Sequence, residues 1–309
     1  MLTAVDQEEK IKVFSHFNAN TRNEFKYFQF TNTFADTAFS LLYAWSEMFD
    51  YRYHAYDDSV MAVTGIGKGS SRGFALIRRI PDISINAAFQ DICAYCFNSG
   101  IQPVFEYISK NELPDYIRAA NSIGKNVEYF YQDMYSDYIY RTDEFISMSG
   151  NRNKTKRGGY NYLEKHYPEI RYEKYQPHMY HDILSIFDSW CSKHECRNCY
   201  YGCERRALER FMEIYDRKYH RIGLTYNGMK PLSFAVCEQI NEETVSYYFQ
   251  KNAERIRGLT YWLNRQMALE HEHIRYINLG EDMGIEGLIT DKKLLHPCGM
   301  MKKYTVLII

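Results

Sequence analysis

The stretch HRIGLTYNGMKPLSFAVCEQI, residues 220–240, decides the fold class of this chain. Two apolar runs flank Asn227-Gly228, a dipeptide typical of the two-residue turn of a β-hairpin because both residues tolerate a positive φ. A third strand is predicted at 244–250, then a helix at 258–272 and a strand at 275–279. The second half of the chain is therefore predicted to contain a largely antiparallel sheet with a helix before its last strand.

The elements predicted before this hairpin extend the series toward the N-terminus. A strand at 170–175 precedes two amphipathic helices, at 178–192 and 204–219, so the series runs helix, helix, three strands, helix, strand. This is the element order of an acetyltransferase-like lobe. The first half follows it more loosely, with a helical pattern at 24–58, strands at 59–67, 101–107, 127–131 and 135–140, and helices at 86–98 and 113–123.

These patterns predict an α+β protein of two lobes. Each lobe is expected to be GNAT-like (acyl-CoA N-acyltransferase-like), with a mixed, mostly antiparallel sheet flanked by helices. We place the N-terminal lobe at residues 1–165 and the C-terminal catalytic lobe at 166–309, with the basic stretch near 150–168 as the seam. The tail, residues 304–309, is expected to close a sheet edge.

Bulk composition limits the function classes. A chain of 309 residues exceeds the usual size of one core, which favours two domains. The net charge of −1 excludes a global field that attracts nucleic acid or anionic membranes, so such contacts need a local patch. The polar, acidic start lacks a signal core, and no run approaches the ~18 apolar residues of a membrane span. We expect a cytoplasmic protein without a transmembrane segment.

Four cysteines, which lie close together, are weak candidates for a metal site: Cys191, Cys196, Cys199 and Cys203. Their thiolates could hold zinc or an iron–sulfur cluster. The spacing is tight for two zinc knuckles, and reduced thiols that pack a helical turn are the favoured alternative. No firm cofactor or metal is therefore expected.

The first charged motif spans Arg255, Arg257, Gly258 and Thr260 at a predicted strand-to-helix junction. A glycine at a helix start lets an anion approach exposed backbone N–H groups, and the arginines add charge. Acetyltransferases use an Arg/Gln-x-x-Gly-x-Gly/Ala loop here for pyrophosphate, although Thr260 stands where a small residue is expected. A plain turn with solvated arginines is the alternative.

The second charged motif is strongly basic. Four cations fall within six positions, namely Arg152, Lys154, Lys156 and Arg157. Such density suits phosphates, and the aromatic residues Tyr160 and Tyr162 could stack on bases. A solvated loop is the competing interpretation.

The third charged motif is acidic. Glu281, Asp282 and Glu286 follow a predicted strand that ends at Leu279, and glycines lie between them. Carboxylates at the end of a strand are well placed to orient or deprotonate an incoming amine. An acidic turn that binds nothing is the alternative.

Together, three segments resemble the C-terminal catalytic domain of phosphatidylglycerol lysyltransferases and the stand-alone bacterial proteins built from it. They are 145–157 with Asn161 and Tyr167-Pro168, 250–253 with Arg257-Gly258, and 277–288 with Lys292 and His296-Pro297. The third is the most specific, because a dozen residues fit in one register. The resemblance covers nearly the whole chain and implies a soluble, tandem acetyltransferase-like protein related to the Fem-type peptidoglycan aminoacyltransferases.

The resemblance also implies a reaction, in which an amino acid moves from aminoacyl-tRNA to a lipid hydroxyl or an amine. Asp282 would bind an amino group, Glu281 would act as base or orienter, and Lys292 would neutralise developing charge. The implied substrate-binding residues are Lys154, Lys156, Arg157, Asn161, Arg255, Arg257 and Gly258. The lysines and Arg157 would hold the tRNA acceptor end, and Arg257 with Gly258 would add a second phosphate contact.

Two other functions remain open. An acyl-CoA-dependent N-acyltransferase would use the Arg255–Gly258 loop for its pyrophosphate and would bind CoA without RNA. A non-catalytic ligand-binding relative would keep the fold without turnover. Ile289 favours this last alternative, because the family pattern tends to place an arginine there.

Overall fold

The structure, a computed structural model, describes residues 14–28, 31–56, 58–66, 72–80, 82–193 and 202–309. The described residues fall into two compact units. The first contains residues up to Ser136 together with 209–214 and 302–309. The second contains residues 137–208 and 215–301. Each unit is built around one sheet.

In the described part of the first unit, a seven-stranded sheet has the order β1-β2-β3-β4-β5-β14-β6. Its strands are β1 (Ser15–His16), β2 (Arg52–Ala55), β3 (Val60–Ile66), β4 (Arg72–Arg79), β5 (Gln102–Ile108), β6 (Val127–Tyr131) and β14 (Tyr304–Ile308). Its helices are α1 (Arg22–Phe25), α2 (Phe39–Phe49), α3 (Asn86–Asn98) and α4 (Leu113–Ser122). Neighbouring strands are antiparallel except β4 and β5.

Alternation along β3 explains why helices cover both faces of this sheet. Val60 and Ala62 pack in one apolar cluster with α3 and α4, whereas Met61 and Val63 pack in another with α2. Successive side chains of a strand point to opposite faces, so an unbroken apolar run requires cover on both.

The second unit contains, among its described residues, a sheet with the order β13-β7-β12-β11-β10-β9-β8. Its strands are β7 (Asp137–Arg141), β8 (Ile170–Lys174), β9 (His220–Asn227), β10 (Lys230–Gln239), β11 (Thr244–Asn252), β12 (Tyr276–Asn278) and β13 (Gly299–Met301). The helices are α5 (Thr142–Ser147), α6 (Lys154–His166), α7 (Tyr180–Cys191), α8 (Glu204–Glu213), α9 (Leu259–Leu269) and α10 (Glu286–Leu294). α8 begins in this unit and ends in the first.

Both sheets share one arrangement. Three antiparallel strands lead through a helix into a parallel strand: β2-β3-β4, α3 and β5 in the first unit, and β9-β10-β11, α9 and β12 in the second. The predicted hairpin is present, with Lys230 paired to Asn227 across the turn. The predicted α+β class and the tandem acetyltransferase-like architecture are confirmed.

Two local predictions were wrong. The helical pattern at 24–58 is interrupted, because Asp50 takes a left-handed conformation (φ 47°) that ends α2 before β2. The tail does not close a sheet edge, since β14 lies between β5 and β6.

The unit boundary differs from the one expected from sequence. Residues 137–165 contain β7, α5 and α6, and β7 pairs with β12, so these residues belong with the second unit. The domain boundary after residue 165 stays a prediction, because units defined by contacts need not fold alone.

In the part of the chain that the structure describes, no helix is both long and apolar enough to span a bilayer.

Candidate active site

The acidic loop between β12 and α10 is held by hydrogen bonds. The Asp282 side chain is buried, at 4% exposure. Its Oδ2 accepts a hydrogen bond from the hydroxyl of Tyr138 (2.7 Å), and its Oδ1 accepts one from the backbone N–H of Gly284 (2.8 Å). Positive φ angles at Met283 (55°) and Gly284 (72°) let the chain turn around this carboxylate. The Asp282 carboxylate therefore has a fixed position.

Lys292 binds the same loop from α10. Its Nζ donates to the carbonyl oxygens of Leu279 (2.5 Å) and Gly280 (2.9 Å), and it lies 5.6 Å from the ring centroid of Tyr138. The hydroxyl of Tyr140 donates to the carbonyl of Lys292 (2.9 Å). The carboxylate of Asp282 and the ammonium of Lys292 thus both contact Tyr138, and β7 positions them together.

The acidic loop begins where the pairing between β11 and β12 ends. Ser246 and Asn278 form the last pair between β11 and β12, and β11 continues to Asn252 without β12 beside it. The side chain of Asn278 bridges two elements: its Nδ2 donates to Asp137 (2.8 Å) and its Oδ1 accepts from the N–H of Gly280 (2.7 Å). Glu281, which follows, is half-buried.

Lys156 differs from the exposed phosphate contact expected from the sequence. Its side chain is buried, at 2% exposure, and its Nζ donates to the carbonyl of Leu295 (2.7 Å), just after α10. The ammonium also lies 5.4 Å from the ring centroid of Phe145. Burial lowers the pKa of Lys156 to about 8, which the nearby Glu144 only partly offsets. Lys156 therefore ties α6 to the end of α10.

This depressed pKa makes Lys156 a source of pH-dependent stability. Below about pH 8 the lysine is charged in both states, and its burial carries a constant cost. Between that pH and its ordinary value of 10.5 the unfolded chain holds more protons, so the free energy of unfolding rises with pH. Lys156→Met should lack this rise, with a slope difference of at most about 1.4 kcal/mol per pH unit.

Urea unfolding of wild type and Lys156→Met across this pH range measures the difference. Lys154→Met is the matched control, because Lys154 lies on the same helix and is exposed. The control should follow the wild-type pH dependence. Parallel curves for wild type and Lys156→Met would contradict a buried ammonium at this position.

The remaining candidates on α6 divide into two groups. The guanidinium of Arg157 donates to the carbonyls of Met148 (2.5 Å) and Gly150 (3.2 Å), so it stabilises the turn before the helix. Lys154 and Asn161 are exposed. Arg157 is half-buried, so the second group is the more exposed of the two.

The Arg255–Gly258 loop packs against α6. Gly258 precedes α9 with φ +87°, and a Cβ there would overlap the carbonyl oxygen of Gly159 on α6. Arg255 and Arg257 are exposed, and the guanidinium of Arg257 lies 4.9 Å from the ring centroid of Tyr162. Two charged segments that are distant in the sequence therefore meet. Through α6, the arginine loop connects to Leu295 and the acidic loop region.

Sequence reasoning missed a row of buried polar side chains beneath α9. Ser233 pairs with Thr225 on β9 and with Asn252 on β11, so the three lie on one face of the sheet. Asn252 Nδ2 donates to Thr260 of α9 (2.9 Å), which places this face toward that helix. Polar residues at strand positions that are otherwise apolar were the available signal.

Several atoms in this row lack a partner among the described residues. They are Thr225 Oγ1, Ser233 Oγ, Asn252 Oδ1 and, on α9, Asn264 Nδ2. A buried polar group without a hydrogen bond costs about 1–3 kcal/mol, so water or a polar ligand is needed to satisfy these atoms.

The cysteines show no metal arrangement in the described part of the chain, where no three His, Cys, Asp or Glu side chains are grouped to hold an ion. Cys191 is half-buried and Cys203 is exposed. Cys196 and Cys199 lie outside the described residues.

The fold and the placement of these segments define an acyltransferase-like protein with tandem lobes. Residues 28–307 match the family described as phosphatidylglycerol lysyltransferase, C-terminal. The chain belongs to this family, and the resemblance stated from its motifs is confirmed. No curated protein matches the chain.

Solved structures share the fold over almost the whole chain. A conserved protein of unknown function from Bacteroides thetaiotaomicron is 21% identical with a TM-score of 0.85, covering 96% of this chain and 99% of that one. The C-terminal domain of a putative lysylphosphatidylglycerol synthetase from Agrobacterium fabrum is 13% identical with a TM-score of 0.67, covering 97% and 92%. FemX is 9% identical with a TM-score of 0.61, covering 94% and 96%. At these identities the likeness establishes the fold alone.

Proposed function

We propose that this protein transfers an aminoacyl group from aminoacyl-tRNA to an acceptor hydroxyl or amine. The observation that carries the proposal is the buried carboxylate of Asp282, fixed by two hydrogen bonds in the acidic loop after β12. Membership of a family named for a lysyltransferase supports the choice of an aminoacyl donor. The likeness to FemX supports the fold on which the proposed reaction would take place.

The reaction needs no covalent nucleophile, because the aminoacyl ester is already activated. The acceptor oxygen or nitrogen attacks the ester carbonyl carbon and loses a proton. The ribose oxygen leaves with its electron pair as the tetrahedral intermediate collapses, and it takes up a proton to become the free hydroxyl of the tRNA. In this scheme Asp282 binds the amino group and holds it in place, and Glu281 takes or orients the acceptor's proton. Lys292 lies beside the loop, where its charge favours the negative charge that develops.

The tRNA acceptor end would contact the exposed cations. Lys154, Arg255 and Arg257 are exposed, and the arginine loop packs against the helix that carries Lys154. In the proposal, Lys156 and Arg157 contribute by holding α6, and thereby Lys154 and Asn161, in position. Gly258 contributes by allowing the close approach of α6 and α9.

Replacing Arg255 and Arg257 together with alanine should weaken tRNA binding. Each lost phosphate contact should reduce the slope of log affinity against log salt by about 0.7–0.9. Gel shifts with charged tRNA over a salt series measure this slope. Arg275→Ala is the control, since Arg275 is an exposed arginine at the opposite end of β12 from the acidic loop. Equal slopes for the double variant and wild type would remove these residues from the tRNA site.

Two further measurements separate the alternatives. Radiolabelled aminoacyl-tRNAs incubated with lipid and peptide extracts should yield a labelled product if the proposal holds. Stabilisation by CoA in a thermal-shift assay, without tRNA binding, would instead indicate acyl-CoA-dependent transfer. Binding of charged tRNA without a product from any donor would indicate a non-catalytic relative.

A further inference from the structure

Strand β6 is the outermost strand of its sheet among the residues that the structure describes. Its aromatic side chains are exposed: Tyr129 at 53%, Phe130 at 38% and Tyr131 at 39%. Adjacent residues of a strand point to opposite faces, so both faces of β6 are uncovered. Edge strands that meet water are usually protected by charge, proline or a covering element, and an aromatic edge is a template for strand pairing.

The backbone groups of β6 that point away from β14 can be assigned from the register of the two strands. Asn126 and Ile309 exchange both backbone hydrogen bonds, at 3.1 and 2.9 Å. Hydrogen-bonded pairs recur at every second residue of an antiparallel ladder, so Glu128 and Phe130 also bond to β14. Val127, Tyr129 and Tyr131 therefore direct their N–H and C=O groups outward.

We propose that β6 pairs with β6 of a second copy of this chain, antiparallel about a two-fold axis at Tyr129. In this register Tyr129 faces Tyr129 of the partner subunit, and Val127 faces Tyr131 of the partner subunit. Val127, Tyr129 and Tyr131 are the residues whose backbone groups point outward. Hydrogen-bonded and non-hydrogen-bonded pairs therefore alternate across the new interface as they do in any antiparallel ladder. The aromatic side chains on both faces become cross-strand neighbours.

Charge complementarity selects this register. With the axis at Tyr129, the register continued beyond the ends of β6 brings Lys125 toward Asp133 of the partner subunit, because Gln132 is still extended and Asp133 begins the 3-10 turn that follows. The symmetry repeats the pair. Moving the axis to Val127 or Tyr131 keeps the hydrogen-bond alternation but separates these charges. The pairing also closes on itself, because each copy uses its single β6 edge, so a dimer forms rather than a fibre.

A charge-swap series tests the proposal by sedimentation velocity over a range of concentrations. Wild type should show a monomer–dimer equilibrium. Lys125→Asp and Asp133→Lys should each raise the dimer dissociation constant by roughly tenfold or more, since each places like charges opposite one another. The double variant Lys125→Asp/Asp133→Lys should restore the wild-type constant. Lys26→Asp, an exposed lysine outside β6, should leave it unchanged.

Disulfide cross-linking tests the register of the proposed β6 pairing separately. Hydrogen-bonded pairs have Cα atoms about 5.5 Å apart, within disulfide range, so Tyr129→Cys should form a disulfide-linked dimer under mild oxidation. Phe130→Cys should cross-link far less, because residue 130 faces Glu128 of the partner subunit. A wild-type protein that stays monomeric at all concentrations would overturn the proposal. So would a folded double variant, confirmed by circular dichroism, that fails to recover dimerisation.

Discussion

Asp282→Asn should reduce the rate of aminoacyl transfer by about 10²-fold or more, because the charge that binds and positions the amino group is lost. Asparagine has the same shape and keeps an oxygen to accept from the N–H of Gly284, so the loop should stay folded. What is lost is the negative charge that would bind the amino group. Initial rates with radiolabelled aminoacyl-tRNA, resolved into kcat and KM, measure the effect.

Two variants give this experiment its controls. Asp291→Asn removes an exposed carboxylate from α10, close in sequence to Lys292, and should leave the rate unchanged. Tyr138→Phe removes one hydrogen bond to Asp282 but keeps the charge, so its loss of rate should be smaller than that of Asp282→Asn. An Asp282→Asn variant with the wild-type rate would remove Asp282 from the proposed mechanism.

Several strands of the fold could be predicted because their signals are local, whereas β2 and β4 were not predicted. The hairpin of β9 and β10 follows from apolar runs around Asn227-Gly228, and β6 was predicted with its observed bounds. The helices α6 and α10 were missed for a local reason as well. Gly158 and Gly159 lie within α6, and Gly287 within α10, and glycine is among the poorest helix formers. Tertiary packing overrides that preference here.

The candidate site was predictable only as a set of segments. Motif likeness grouped the basic, arginine and acidic segments, but it could not show that α6 connects them. The burial of Lys156 was not predictable either, because lysine is almost always exposed, and its partners, the carbonyl of Leu295 and the ring of Phe145, are distant in the sequence or not identifiable from it. The row of Thr225, Ser233 and Asn252 depends on strand register, which includes an irregularity between Pro231 and Ser233 that the sequence does not reveal.

Gly258→Ala should lower the free energy of unfolding by roughly 2–5 kcal/mol. A left-handed conformation costs a non-glycine residue about 1–2 kcal/mol, and forcing an extra methyl into a packed contact costs about 1–3 kcal/mol. Both costs arise at Gly258, where φ is +87° and a Cβ would overlap the carbonyl oxygen of Gly159. Urea unfolding followed by circular dichroism measures the difference from wild type.

Gly158→Ala is the matched control, and we expect it to have the opposite effect on stability. A Cβ at Gly158 meets no atom within 4 Å, and the residue lies inside α6, so alanine should stabilise the protein by about 1 kcal/mol. Gly159→Ala should fall between the two, because its Cβ would lie 2.9 Å from a ring carbon of Tyr261. If Gly258→Ala were as stable as wild type, the contact between α6 and α9 would be absent. The exposed arginines would then have no fixed relation to Lys154, and the proposed tRNA site would lose its geometric basis.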